Sequence, residues 1–258
     1  MTPQQTWSTG DFSMVGSSIV IVSEMLCESV EVHAGDRVLD VATGSGNTAL
    51  AAARRACRVS GIDFVPALLE RARERAAAER LKIEFQEGAA ESIPFPDGSF
   101  DVVLSTFGAM FAEPRRAASE MLRVCRSGGK IGMANWTPQG FVGEWSRVSA
   151  RFTPPPPPDF QPPALWGVRE IVQQRFGDAV REVRLVERQV RMRHHTPESW
   201  VEFMKKYFGP IMVAHQAAGE RAPELTAAMV EMAKQHNRSG DATLLLDADY
   251  VEVIAVKA

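Results

Sequence analysis

Arg37 to Asp63 read RVLDVATGSGNTALAAARRACRVSGID. The pattern predicts a short apolar strand ending on an acid, a glycine-rich turn, an alanine-rich helix and a second strand that also ends on an acid. Gly44 and Gly46 lack side chains, so bare backbone can approach a ligand there, and the following helix presents unpaired N–H groups. We therefore expect a nucleotide-like ligand at the tip of the first strand.

The glycine turn fits two classes of cofactor-binding enzyme. Residues 44–49 match the G-x-G-x-x-G/A dinucleotide pattern, and Asp63 follows where a ribose-binding acid is expected. Asp40, however, stands four positions before Gly44, where a dinucleotide-binding strand would still be apolar. The register acid-x-small-x-Gly-x-Gly resembles motif I of the class I S-adenosylmethionine-dependent methyltransferases, with Ala42 in place of the family's first glycine.

Two later stretches support the same resemblance. Residues 88–105 read GAAESIPFPDGSFDVVLS, which is similar to the segment from the third-strand loop through strand four in the ubiquinone and menaquinone methyltransferase group. Residues 127–131, SGGKI, resemble that group's turn into strand five. The resemblance covers about residues 36–136 and implies S-adenosyl-L-methionine as the cofactor.

The resemblance also implies which residues bind the cofactor. Asp63 would accept hydrogen bonds from the ribose hydroxyls, and Asp40 would act through the loop or on the cofactor amine. The family's adenine-binding aspartate corresponds to Ala89, so adenine is expected near the backbone of Ala90, beside Glu91. The expected cofactor-binding residues are Asp40, Ala42, Gly44, Gly46, Asn47, Asp63, Phe64, Ala90, Glu91, Ser105 and Phe107, with Thr106 also beneath the methyl-donor end.

Alternating strands and helices predict an α/β fold with a doubly wound, mostly parallel, Rossmann-like sheet. Strands are expected at 37–41, 58–62, 82–85, 100–105 and 130–135, and helices at 46–56, 66–80, 113–125 and 168–176. A strand pair at 180–193 and 244–257 resembles the terminal hairpin of class I methyltransferases, whose last strand is antiparallel. The expected sheet therefore has seven strands.

Three segments fall outside this predicted core. We expect an N-terminal lid segment at 1–32, the cofactor-binding core at 33–136, a lid insertion at 137–166, and the end of the sheet at 167–258 with a helical insert at 197–238. Because ligands bind at the carboxyl ends of the strands in such sheets, the added segments are expected to form a helical lid that selects the acceptor.

Candidate acceptor-binding and catalytic residues come from the added segments and the strand ends. Phe12, Trp136, Trp145 and Tyr207 are expected to line an apolar acceptor pocket. His194 and His195 follow the predicted sixth strand and are the candidate general bases. Alternatively, proximity alone suffices, because the sulfonium is already activated and its departure leaves a neutral thioether.

Composition favours a small-molecule enzyme. The net charge of −3 offers no basic surface for nucleic acid or an anionic membrane, and the N-terminus lacks the pattern of a signal peptide. We therefore expect a cytoplasmic protein that binds neither. Cys27, Cys57 and Cys125 are dispersed without a C-x-x-C pair, so no metal site is expected. A lid of this size could also form a homodimer surface.

The function predicted from these patterns is S-adenosylmethionine-dependent methyl transfer to a small-molecule acceptor, by in-line displacement in a closed pocket. Two alternatives stay open at this point. The absence of an unmistakable base and of the adenine aspartate would fit a non-catalytic, cofactor-binding module for regulation or partner docking. The glycine pattern alone would fit a nicotinamide-dependent oxidoreductase.

Overall fold

The computed structural model describes residues 2–258 and contains one seven-stranded sheet in the order β3-β2-β1-β4-β5-β7-β6. Strands β1 to β5 are parallel, whereas β7 is antiparallel to both β5 and β6. The predicted α/β fold with an antiparallel last strand is confirmed. The strands are β1 (Arg37–Val41), β2 (Arg58–Asp63), β3 (Ile83–Glu87), β4 (Phe100–Thr106), β5 (Cys125–Trp136), β6 (Val180–His194) and β7 (Leu244–Lys257).

Helices cover both faces of the sheet and its carboxyl edge. The α-helices are α1 (Pro3–Ser8), α2 (Phe12–Gly16), α3 (Val20–Val30), α4 (Asn47–Arg54), α5 (Pro66–Ala78), α6 (Pro114–Val124), α7 (Gly140–Ala150), α8 (Arg169–Phe176), α9 (Pro197–Tyr207), α10 (Gly209–Ala218) and α11 (Ala222–Gln235). Proline occupies the first turn of α5 and α6, where its missing N–H needs no helical partner.

The largest difference from the predicted boundaries is the start of β5. The strand begins at Cys125 rather than near 130, because Cys125 pairs with Phe100 of β4 and an irregularity in register follows. This pairing depends on a strand distant in sequence. The local pattern of glycines at 128 and 129 therefore predicted a turn where the structure has a bulged strand.

Two hydrophobic clusters hold the molecule together. The larger one contains the inner faces of the sheet and helices such as α3, with Leu26, Leu39 and Leu104 fully buried. The second cluster joins α7, α9, α10 and α11 to the first residues of β7, including Leu244 and Leu246. β6 and β7 pair beyond the end of β5, as far as His194 and Leu244, and so provide a wall for these helices.

One helical stretch, Phe12–Val30, is long and apolar enough to cross a membrane by length and composition, with a mean hydropathy of 1.4. In the structure its inner face packs on the sheet. Val22, Leu26 and Val30 are buried in the larger cluster, as expected for a core helix.

Candidate active site

The cleft forms where the strand order reverses, since β1 has β2 on one side and β4 on the other. Ligands bind at such switch points in open α/β sheets. The turn between β1 and α4 is left-handed at three positions, Ala42 (φ 54°), Gly44 (φ 53°) and Gly46 (φ 87°). An alanine in this conformation is strained. Gly108 leaves room for it, because a β-carbon at position 108 would collide with the Ala42 side chain and carbonyl oxygen.

Asp40 lies under the turn. Its Oδ2 accepts hydrogen bonds from the Thr43 hydroxyl and from the Ala49 N–H at 2.9 Å, which fix the turn to the first turn of α4. Its Oδ1 is buried without a hydrogen-bond partner among the described residues. Burial raises the pKa of Asp40 to about 7, although the two hydrogen bonds oppose this effect.

Asp63 ends β2 beside the same turn. Its Oδ2 accepts the Gly44 N–H and its Oδ1 accepts the Val65 N–H, both at 2.9 Å. The side chain faces the cleft but is nearly buried, and burial raises its pKa while the backbone N–H groups oppose the shift. The carboxylate therefore positions the glycine turn and retains lone pairs that can face a ligand.

The cleft has walls on both sides and a cover. Its empty volume, including the open mouth, is about 940 Å³. The cover is aromatic: the Trp7 ring lies 5.5 Å from Phe12 and 5.0 Å from Phe111. Gln4 donates from Nε2 to the Phe64 carbonyl and so attaches α1 to the rim. The lining residues are Pro3, Trp7, Phe12, Ile19, Ala42, Thr43, Gly44, Ser45, Asn47, Thr48, Asp63, Phe64, Leu68, Gly88, Ala90, Glu91, Thr106, Phe107, Gly108, Phe111 and Ala112.

The structure places most of the expected cofactor residues on this lining. Those that face the cleft are Ala42, Gly44, Asn47, Asp63, Phe64, Ala90, Glu91, Thr106 and Phe107, together with Phe12 from the expected acceptor pocket. Asp40, Gly46 and Ser105 do not line it. Gly46 precedes α4 at its N-cap and lies against Ala72 of α5, and the Ser105 hydroxyl donates to the Val41 carbonyl at 2.7 Å. All three support the turn or the strand tips from behind.

Three of the expected pocket aromatics lie elsewhere. The Trp136 ring stacks on Phe107 at 3.6 Å and backs the wall without lining the cleft. Trp145 packs between Trp200 and Phe208 in the second hydrophobic cluster. Tyr207 meets the N-terminal segment through its backbone, because its carbonyl accepts the Asp11 N–H.

The structure does not bring His194 or His195 to the cleft, which corrects their placement as candidate bases. β6 is the edge strand, and β5 and β7 separate it from β4. His194 Nδ1 is 2.7 Å from Ser199 Oγ, and burial together with His195 lowers its pKa. The contact with Ser199 indicates a structural role for His194 at the first turn of α9.

Ile19, Thr48 and Phe111 line the cleft but were not among the expected residues. Thr48 was recognisable, since it occupies one of the variable positions of the glycine pattern, on the first turn of α4. Ile19 and Phe111 lie in short 3₁₀ turns of segments distant from the motif, and no local pattern marks them.

An open sheet with an antiparallel last strand, a glycine turn and two acids at its switch point defines a Rossmann-like methyltransferase. Residues 38–129 match a family model described as a methyltransferase domain. A Mycobacterium tuberculosis protein without an assigned function is 37% identical over 232 residues, which cover 88% of this chain and 84% of the relative. A demethylmenaquinone methyltransferase of Deinococcus radiodurans is 44% identical over 109 residues, 41% of this chain and 45% of the relative.

Comparison of structures agrees with the fold. The YcgJ protein of Bacillus subtilis aligns with a TM-score of 0.63 over 91% of this chain and 97% of its own, at 19% identity. The chain belongs to the class I S-adenosylmethionine-dependent methyltransferases, and S-adenosyl-L-methionine is its cofactor.

The residues of the cleft fit this cofactor. It is a cation at its sulfonium and its amine, and Asp40 and Asp63 are two nearly buried carboxylates at the same turn. Asp40 Oδ1 has no partner among the described residues, so the base of the turn carries uncompensated negative potential when this acid is ionised. A nearby cation would favour the ionised form of both acids.

Proposed function

We propose that this methyltransferase modifies a small, largely apolar molecule enclosed beneath the aromatic cover. The observation that carries the proposal is the position of Trp7, Phe12 and Phe111, which close the cleft over the carboxyl ends of β1 and β4. A covered cleft of this kind suits a small ligand rather than a chain of nucleotides or a lipid surface. The acidic net charge supports the same choice.

We propose that Asp63 holds the ribose hydroxyls and that Ala90 and Glu91 border adenine. The turn at residues 42–46 would hold the methionine portion, with Asp40 acting through Thr43 and the N–H of Ala49 rather than by contact. When bound, the cofactor supplies an activated methyl carbon. The chain then has to hold the acceptor in line with that carbon and exclude water.

The ionisable side chains on the described lining are Asp63 and Glu91. Glu91 Oε1 accepts the Glu113 N–H at 2.9 Å, and Asp63 is engaged by backbone N–H groups. In this proposal Asp63 binds the ribose and Glu91 borders adenine, so neither carboxylate is placed to act as a base on the acceptor. This arrangement favours an acceptor that ionises readily by itself, such as a phenol, an enol or another acidic group, with proximity as the main source of rate.

We propose that the segments 1–32, 137–166 and 197–238 act together as the lid that selects the acceptor, in a cytoplasmic enzyme. The match to the Deinococcus demethylmenaquinone methyltransferase covers 41% of the chain. The name of that relative makes a demethylated menaquinone one candidate acceptor. The lid residues Trp7 and Phe12 precede the region of the methyltransferase family match and would decide between this and other acidic aromatic molecules.

Binding and transfer can be tested separately. Calorimetry is expected to show binding of S-adenosylhomocysteine and no binding of NAD or NADP. In the second test, the protein and methyl-labelled cofactor are added to a cell extract. We expect label in small molecules of the undialysed extract, and no labelled product in a dialysed extract, from which small molecules have been removed. Label in protein, RNA or DNA would contradict a small acceptor, and cofactor binding with no transfer to any fraction would support a non-catalytic module.

A further inference from the structure

Three hydroxyl groups form a chain that runs from the core to the cleft. Ser23 of α3 is fully buried, and its Oγ is 3.0 Å from the Oγ1 of Thr48 on α4. Thr48 Oγ1 is in turn 2.8 Å from Oγ1 of Thr106, the last residue of β4. Thr48 and Thr106 line the cleft, whereas Ser23 lies behind it.

The geometry fixes the direction of these hydrogen bonds. Thr48 donates its single hydroxyl proton to Thr106. Because the Thr48 proton is already used, Ser23 has to be the donor in its hydrogen bond with Thr48. The Ser23 hydroxyl has no other acceptor among residues 2–258. The Thr106 oxygen is thus an acceptor within the chain, and its own proton has no partner among the described residues. Donation along the chain also polarises that last hydroxyl.

Most other polar side chains on the same lining are engaged near the glycine turn, where Ser45 Oγ accepts from Arg75. The Thr43 hydroxyl donates to Asp40, and the Asn47 amide donates to the Gly16 carbonyl at 2.9 Å. Ile19 and Phe107, which also line the cleft, are apolar. Thr106 therefore offers a side-chain O–H without a partner beside apolar surface, at the carboxyl end of β4.

We propose that the Thr106 hydroxyl donates a hydrogen bond to an oxygen of the methyl acceptor and thereby selects flat apolar molecules that carry a phenolate, enolate or carbonyl oxygen. Ser23 and Thr48 are positioning residues that keep the Thr106 proton directed away from the core. The inference rests on the proposed small-molecule function and specifies its substrate class. A pocket that offers a donor discriminates strongly against a ligand lacking the matching acceptor.

The probe for this proposal is 4-nitrophenol in mildly alkaline buffer, where it is a phenolate, measured by calorimetry and by its visible absorbance. The protein is first saturated with S-adenosylhomocysteine. We expect Thr106→Val to weaken phenolate binding by about tenfold or more, the usual effect of losing a hydrogen bond to a charged group. Thr106→Ser should restore binding, and bound nitrophenol should titrate at a higher pH in the valine variant.

The positioning residues give a graded result. Thr48→Val is expected to weaken phenolate binding by roughly two- to fivefold, because the Thr106 hydroxyl keeps its proton but loses its orientation and polarisation. Thr243→Val is the matched control, since its hydroxyl donates to Asp241 in the exposed turn before β7, outside the proposed lid and away from the cleft. It should leave binding unchanged.

The possible results distinguish a wrong function from a wrong role for Thr106. If S-adenosylhomocysteine does not bind the wild-type protein, the proposed function itself is wrong. If it binds but the phenolate either does not bind or binds equally to wild type and Thr106→Val, the role of Thr106 is wrong and the methyltransferase function stands. Thermal unfolding of each variant, with and without S-adenosylhomocysteine, identifies any variant that has lost its fold.

Discussion

At the scale of single residues, two carboxylates decide the shape of the cofactor turn. Asp40 holds it from below through Thr43, and Asp63 holds it from the side through the Gly44 N–H. The sequence motif predicted that both acids belong to the site. It left open whether Asp40 acts through the loop or on the cofactor amine, because that difference depends on how the turn folds over the end of β1.

Replacing Asp63 tests the assignment of the ribose site. Asp63→Asn keeps one side-chain oxygen, which can accept only one of the two backbone N–H groups, and it loses the charge, so we expect S-adenosylhomocysteine affinity to fall by roughly 1–3 kcal/mol. Calorimetry measures this directly. Glu87→Gln is the control, because Glu87 is the adjacent strand-terminal acid, paired in register with Asp63 but exposed to solvent. Equal affinities for all three proteins would contradict a ribose contact.

The raised pKa of Asp40 predicts a pH-dependent stability. In the unfolded chain this acid ionises near 3.8, whereas in the folded protein it stays protonated up to about 7. Between these values the folded state binds the additional proton, so stability falls as pH rises from 4 to 7, by up to about 1.4 kcal/mol per pH unit, and then levels off. Asp63 contributes in the same direction.

Urea unfolding of the protein without cofactor, repeated across this pH range, is the measurement. Asp40→Asn cannot ionise, so its stability is expected to fall less steeply than that of the wild type. Parallel curves for the two proteins would show that Asp40 ionises normally in the folded state.

At the scale of elements, the central strands and the last two strands were predictable, and the cover of the cleft was not. β6 and β7 match the segments expected at 180–193 and 244–257, because alternation and turn residues mark them locally. The place of His194 depends instead on strand order, which puts β6 at the sheet edge. The contact of Trp7 with Phe208 likewise joins segments far apart in sequence.

The aromatic cover predicts a change in the rate of cofactor release. Trp7 contacts Phe12, Phe111 and Phe208, so Trp7→Ala removes the group that joins α1 to the cleft and to the lid. We expect S-adenosylhomocysteine to dissociate roughly tenfold faster, because losing aromatic contacts acts mainly on dissociation. Stopped-flow displacement measures the rate. Phe160→Ala, at an exposed aromatic residue, should leave it unchanged.

At the scale of the whole molecule, the chain has two hydrophobic clusters that stabilise different parts of the structure. The larger cluster fixes the sheet and therefore the strand tips that form the site. The second holds α9, α10 and α11 against the projecting ends of β6 and β7. The two clusters are distinct, so we expect substitutions within the second cluster to leave the glycine turn undisturbed.

This separation predicts that the lid opens without global unfolding. Val201 in α9 and Val103 in β4 are both fully buried, one in each cluster. A valine-to-alanine change leaves a cavity and costs about 1–3 kcal/mol at either site. Val201→Ala is expected to reduce amide hydrogen-exchange protection across 197–235 and leave β1 and β4 unchanged, whereas Val103→Ala should reduce it throughout. Equal loss in the strands of the Val201 variant would mean that lid and sheet unfold as one cooperative unit.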